Sequence, residues 1–91
     1  MPMTVCKRVY YQGRVQGVGF RYTTHGLAQG FAVTGYVKNL FDGRVELVVE
    51  GEAAEVERFL RALGRQMAPY IETKQELDEP PGGFESFSIR V

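Results

Sequence analysis

Cysteine and histidine are scarce in this sequence, and each occurs once, as Cys6 and His25. A single cysteine cannot form an internal disulfide, so a reducing compartment is the natural setting and we expect a cytoplasmic protein. Neither residue has a second cysteine or histidine at the spacing of zinc ligands. The acidic residues between Glu72 and Glu79 are typical of a solvated face rather than of a paired acid/base site. We therefore expect no metal site.

An excess of charge and a long apolar run are also missing. Eleven Lys and Arg residues balance eleven Asp and Glu residues, which excludes a broad basic field for nucleic acid or an anionic membrane. No apolar run approaches membrane-spanning length, and residues 1–6 lack the apolar core of a signal peptide. We expect one globular domain over residues 1–91, with neither nucleic acid nor membrane as a partner.

Glycine, by contrast, is concentrated where two predicted elements meet. Residues 13–21 read GRVQGVGFR, between a predicted strand at 5–12 and a predicted helix that begins near Arg21. Glycines at such a junction let the backbone adopt positive φ and approach a ligand, and a helix start adds unpaired N–H groups. The stretch predicts an anion site with Arg21 as a forked cation, although glycines at a strand–helix junction often serve only a tight turn.

Two nucleotide-binding motifs are close to this stretch but do not fit it. A P-loop ends in Gly-Lys-Ser/Thr, whereas this stretch ends in Gly19-Phe20-Arg21 and places no hydroxyl for Mg²⁺. A dinucleotide fingerprint needs a third glycine where Tyr22 stands, within a longer α/β domain. We therefore expect no cofactor.

The remaining pattern predicts a small α+β fold. Further strands are predicted at 31–39, 44–50 and 70–78, a second helix at 52–63 that stops near Gly64, and a short closing strand at 84–91. The order is βαββαβ with a short extra C-terminal strand, and each helix has one apolar stripe. Both helices can cover one face of a mostly antiparallel sheet, whose other face must tolerate solvent at Arg8, Tyr10, Glu46 and Glu50. Right-handed split crossovers place the strand before each helix at the sheet centre.

Three stretches together resemble the acylphosphatase family. Residues 13–21, residues 35–40 (GYVKNL) and residues 42–45 (DGRV) match its pattern G-x-V-Q-G-V-x-F-R, then G-W/Y-V-x-N, then a D-G turn. The likeness runs on to the closing 87–91. The resemblance implies a ferredoxin-like domain that hydrolyses the carboxyl–phosphate bond of acyl phosphates. Its partners would be a small-molecule acyl phosphate and inorganic phosphate, and we expect a monomer.

The resemblance also implies roles for particular residues. Arg21 matches the arginine that grips the phosphoryl oxygens, and Asn39 matches the asparagine that orients the attacking water. The phosphate-binding residues would be Val15, Gln16, Gly17, Val18, Gly19, Phe20 and Arg21, largely through backbone N–H groups. Taken alone, an arginine at a helix start is often solvated, and an asparagine beside a turn often bonds its own backbone.

Some residues depart from the family's commoner forms, and other functions compete. Tyr36 stands where tryptophan is frequent, and Phe41 where smaller residues or proline often occur, which bears on substrate preference and rate. One rival is an acylphosphatase-like domain of a larger carbamoyl-phosphate-handling protein, which the absence of any cysteine pair disfavours. Another is an RNA-binding βαββαβ domain with Tyr10 as a stacking residue, which the zero net charge disfavours.

Overall fold

The elements of the fold follow the predicted order. A computed structural model describes residues 3–91. The strands and helices are β1 (Thr4–Gly13), α1 (Phe20–Ala28), β2 (Val33–Asn39), β3 (Val45–Glu52), α2 (Ala53–Gln66), β4 (Ile71–Glu79) and β5 (Phe87–Arg90). The βαββαβ order with a short C-terminal strand is confirmed. Within the described residues, no helix is both long and apolar enough to cross a membrane.

The strands form one five-stranded sheet in the order β4-β1-β3-β2-β5. Every neighbouring pair is antiparallel except β2 and β5, which run parallel. The two strands that precede the helices, β1 and β3, lie inside the sheet, as predicted. The loop that follows β1 therefore starts from a strand that is hydrogen-bonded on both sides, which gives it a rigid support.

Both helices cover the same face of the sheet. Val9 and Tyr11 of β1 and Leu47 of β3 belong to one buried cluster that also contains residues of α1 and α2. The apolar stripe of α2 is the predicted one: Val56, Phe59, Leu60 and Leu63. Burial of these side chains is the main source of stability for a domain of this size.

The second helix is longer than its sequence signal indicates. Gly64 was predicted as the stop, but it lies inside α2, which continues to Gln66. The backbone N–H of Met67 donates to Leu63 O, and the Met67 side chain is buried in the core. The apolar contact of Met67 outweighs the modest helix-weakening effect of one glycine, so the prediction was wrong.

The opposite face of the sheet is polar, but it is not fully open. Arg8 forms ion pairs with Glu46 and Glu79, and Tyr36 Oη donates to Glu46 Oε1. Glu50, which was expected to face solvent, is buried. The backbone N–H groups of residues 82 and 83 donate to its carboxylate, so the segment before β5 covers this part of the face.

Candidate functional site

The 14–19 loop between β1 and α1 depends on two glycines. Gly17 has φ 79° and Gly19, the residue that caps α1, has φ 77°, both in the left-handed region. A Cβ at either position would meet no atom within 4 Å. Glycine is therefore needed at these positions for its backbone torsion angles and not for lack of space. A side chain there would cost about 1–3 kcal/mol in backbone strain. These glycines let the loop fold back and present the start of α1 to a cavity.

That cavity brings together residues that are far apart in the chain. It has a volume of about 150 Å³ and is lined by Val15, Gly17, Gly19, Phe20, Arg21, Tyr22 and Asn39. The loop, the first turn of α1 and the end of β2 all contribute to it. Of the predicted phosphate-binding residues, only Gln16 and Val18 do not line the cavity; Val18 packs against the core instead.

The first turn of α1 offers backbone donors to this cavity. The helix has no side-chain N-cap and no acidic residue in its first turn. Its first backbone hydrogen bond runs from Thr23 N–H to Gly19 O at 2.9 Å. The N–H groups of Phe20, Arg21 and Tyr22 precede that bond and have no acceptor within the helix. Together with the positive end of the helix dipole, they favour an anion at this position.

Arg21 is held at the cavity by the last strand. Its Nη1 donates to the backbone carbonyl of Arg90 at a distance of 3.0 Å. Among residues 3–91, no carboxylate forms an ion pair with Arg21, so its charge is not neutralised by the protein. A guanidinium has five N–H donors, and the bond to Arg90 uses one of them. The others are available to an anion.

Asn39 presents a buried acceptor. It is the last residue of β2 and is paired with Val45 of β3. Its Oδ1 is buried and accepts no hydrogen bond from the residues that the structure describes. Leaving a buried polar atom without a partner is costly, and native structures contain few such atoms. Asn39 lines the cavity, so its carboxamide lies beside the space for a bound molecule, and its Oδ1 still lacks a donor among residues 3–91.

The side chain of Gln16 joins the two halves of the site. Its Nε2 donates to Leu40 O at 2.7 Å and to Arg44 O at 2.9 Å. Both carbonyls belong to the connection between β2 and β3, and Leu40 directly follows Asn39. Gln16 thus fixes the 14–19 loop relative to Asn39. From the sequence, Gln16 was assigned a role only through its backbone. Its side chain bonds backbone carbonyls, which every residue has, so the sequence does not show which residues it will contact.

A larger cavity of about 500 Å³ lies between α2 and strands β1 and β4, away from the predicted site. Three cations line it, and each is paired with a carboxylate: Lys7 with Asp78, Lys74 with Glu76 and Arg61 with Glu57. Because these charges are already balanced, this cavity is a poor site for an anion. The smaller cavity at Arg21 is the better one.

His25 and Cys6 take no part in either cavity. His25 lies in the last turn of α1, where its ring faces Phe87 at a centroid distance of 6.4 Å. Cys6 is buried on the other face of the sheet, and burial raises the pKa of its thiol, which disfavours the reactive thiolate. Within the described residues, no group of three or more His, Cys, Asp or Glu side chains is arranged to hold a metal ion.

Several known proteins with similar sequences or structures are described as acylphosphatases. A family model described as Acylphosphatase matches residues 7–89. A protein of Chromohalobacter salexigens named Acylphosphatase is 44% identical over 84 residues, which is 88% of this chain and 93% of that relative. The crystal structure of acylphosphatase from Bacillus subtilis superposes with a TM-score of 0.87 at 32% identity and covers 98% of this chain and 100% of its own.

A larger protein contains a similar unit. Full-length HypF, solved in a phosphate- and nucleotide-bound form, matches 100% of this chain with a TM-score of 0.87 and 27% identity. The match spans 12% of the HypF chain. The same fold therefore occurs both as a small protein and as one part of a long one.

Proposed function

This chain belongs to the acylphosphatase family, and we propose that it hydrolyses acyl phosphates to a carboxylate and inorganic phosphate in the cavity at Arg21 and Asn39. It is a hydrolase that acts on acid anhydrides. One observation carries the assignment of the site. Within residues 3–91, Arg21 has no ion pair and Asn39 Oδ1 accepts no hydrogen bond, and both residues line the same cavity of about 150 Å³ as the N-terminus of α1.

The leaving group determines what such a site must supply. An acyl phosphate is a mixed anhydride, and its leaving carboxylate belongs to an acid with a pKa of roughly 4. The carboxylate can therefore leave unprotonated at neutral pH, so a general acid contributes little. The remaining tasks are to hold the phosphoryl group, to stabilise its charge and to place a water in line with the bond that breaks.

Arg21 and the start of α1 take the first two tasks. The guanidinium binds two phosphoryl oxygens through its planar fork, a geometry in which charge-assisted hydrogen bonds are strongest. Backbone N–H groups of the 14–19 loop and of the first turn of α1 bind the remaining oxygen. Arg90 O holds one edge of the Arg21 side chain, so that the fork is already oriented when the substrate arrives.

Asn39 takes the third task. Its Oδ1 accepts a hydrogen bond from the attacking water and aims the water's lone pair at phosphorus. As the new P–O bond forms, the bond from phosphorus to the acyl oxygen breaks, and its electron pair leaves with the carboxylate. The water's proton passes to a phosphoryl oxygen, so the reaction needs no basic side chain.

The proposal extends to the protein's setting. We place the chain in the cytoplasm as a monomer of one domain over residues 1–91, acting on small molecules and not on nucleic acid or membranes. Two aromatic rings that an RNA-binding sheet would use for stacking are occupied: the guanidinium of Arg44 lies 4.5 Å from the Tyr10 ring and that of Arg90 lies 3.8 Å from the Tyr36 ring.

Hydrolysis of benzoyl phosphate by the purified chain tests the proposed function. We expect turnover at neutral pH, and we expect prior treatment with EDTA to leave the rate unchanged, because Arg21 and backbone donors supply the charge stabilisation. The measurement is the release of inorganic phosphate above the rate without protein. Absence of turnover would contradict the function, and a loss on EDTA treatment that Mg²⁺ restores would contradict the metal-independent chemistry.

A further inference from the structure

The atom that holds Arg21 belongs to a short strand at the edge of the sheet. Arg21 Nη1 donates to the carbonyl of Arg90, the last residue of β5. This strand has four residues, of which only Phe87 is buried, and among residues 3–91 its only neighbour in the sheet is β2. Elements near a chain end with few buried contacts open most readily. The position of the Arg90 carbonyl therefore depends on what else secures the strand.

The side chain of Arg90 supplies an anchor on the face of the sheet that lies opposite the helices. Its guanidinium carbon lies 3.8 Å from the centre of the Tyr36 ring, well within the ~6 Å reach of a cation–π contact. Arg90 pairs with Lys38, two residues beyond Tyr36 on β2, so the contact runs back diagonally across the strand pair. Arg90 thus contacts Tyr36 with its side chain and Arg21 with its carbonyl.

The Tyr36 ring is itself held in place. Tyr36 is buried, and its Oη donates to Glu46 Oε1 at 2.9 Å. Arg8 donates to the other oxygen of the same carboxylate at 2.8 Å. The ring of Phe84 meets the Tyr36 ring edge-on, with their centroids 6.0 Å apart. Because Arg8 and Glu46 lie on the inner strands β1 and β3, a guanidinium stacked on Tyr36 is tied to the middle of the sheet.

The stack fixes a side chain that would otherwise move freely. Arg90 is exposed, and among residues 3–91 no carboxylate forms an ion pair with it. A long exposed side chain without a partner samples many rotamers, and it does not secure the strand that carries it. Stacked on Tyr36, the same side chain holds the last residue of β5 against β2.

We propose that Tyr36 is a positioning residue for Arg21 and acts through Arg90. The inference rests on the proposed function, because it concerns the residue that grips the phosphoryl group there. Tyr36 itself does not line the cavity. By fixing Arg90, its ring fixes the carbonyl that orients one edge of the Arg21 guanidinium. A group that is oriented in advance loses less freedom on binding, so removing the ring weakens phosphate binding and slows transfer together.

Inhibition by inorganic phosphate tests the proposal in variants of both members of the stack. Tyr36→Leu removes the ring, and Arg90→Met removes the guanidinium but keeps the backbone carbonyl. Each should raise the inhibition constant of phosphate about threefold, the factor that one exposed cation–π contact supplies. Because both residues belong to one contact, the double variant should be no worse than either single variant. Arg90 is exposed, so Arg90→Met tests the contact even where Tyr36→Leu fails to fold.

The Arg21→Ala background separates positioning from a general loss of structure. If Tyr36 acts through Arg21, Tyr36→Leu should lower kcat/KM for benzoyl phosphate about threefold in the parent. It should leave kcat/KM unchanged where Arg21 is already replaced by alanine. An effect on the fold alone would lower kcat/KM equally in both backgrounds. Tyr36→Phe keeps the face of the ring and should retain the parental inhibition constant.

Tyr10 provides a matched control, because its ring carries the same kind of stack. The guanidinium of Arg44 lies 4.5 Å from the Tyr10 ring, and Arg44 pairs with Asp42. Tyr10→Leu should leave the inhibition constant of phosphate at the parental value. Parental inhibition constants in both Tyr36→Leu and Arg90→Met, or an equal loss with and without Arg21, would overturn the positioning role while leaving the function intact. Absence of hydrolysis by the parent would overturn both.

Discussion

Replacing Asn39 with alanine is expected to lower kcat for benzoyl phosphate by about 10²–10³-fold, because a misplaced nucleophile alone costs roughly 10²-fold. Binding of inorganic phosphate should persist in this variant, since Arg21 and the N-terminus of α1 are untouched. The two measurements are single-turnover or steady-state kcat and the inhibition constant of inorganic phosphate. A loss confined to kcat is the signature of an interaction made only with the attacking water.

The stability of the same variant distinguishes this role from a structural one. Asn39 Oδ1 is buried and accepts no hydrogen bond from residues 3–91, so removing it eliminates an unsatisfied atom rather than a contact. We expect the urea midpoint of Asn39→Ala to equal or exceed that of the parent. Gln29→Ala is a suitable control, because it removes an exposed amide that donates to His25 O at the far end of α1. Parental turnover in Asn39→Ala would refute the water-positioning role.

Replacing Arg21 with alanine is expected to weaken both binding and turnover. A hydrogen bond to a charged group is worth about 1.5–3 kcal/mol, so losing a two-pronged contact should raise the inhibition constant of inorganic phosphate by about 10²-fold or more. The value of kcat should also fall, because the charge on the phosphoryl oxygens must be stabilised during transfer. Phosphate inhibition and kcat/KM for benzoyl phosphate are the quantities to compare.

Two further variants make the Arg21 result specific. Arg21→Lys keeps the charge but loses the planar fork, so its phosphate binding should be intermediate. Arg65→Ala removes an exposed arginine from the last turn of α2, outside the cavity, and should behave as the parent does. If Arg21→Ala bound phosphate as tightly as the parent, the anion site would have to lie elsewhere. Arg21→Ala should thus weaken phosphate binding as well as turnover, whereas Asn39→Ala should lower only turnover.

The order of elements could be predicted from the sequence because its signals are local. Alternation in β1, the helical stripe of α2 and the glycines before α1 each depend on residues that are close in the chain. The family resemblance then related the motif at 13–21 to Asn39, and the structure places Asn39 on the cavity that this motif lines.

The remaining features depend on contacts between distant parts of the chain. Gln16 and Arg21 bond backbone carbonyls of Leu40 and Arg90, and every residue type has such a carbonyl. Glu50 occupies an outward strand position, yet the segment at 82–83 covers it. No periodicity reveals where a loop without regular structure will lie, so these contacts required coordinates.

Attack of water on phosphorus is tested most directly by hydrolysing benzoyl phosphate in water labelled with a heavy oxygen isotope. If Arg21 holds the phosphoryl group while Asn39 aims the water at it, the label will be found in inorganic phosphate, because the bond between phosphorus and the acyl oxygen breaks. Label in the benzoate instead would show attack on the carbonyl carbon, and it would contradict the roles given to both residues.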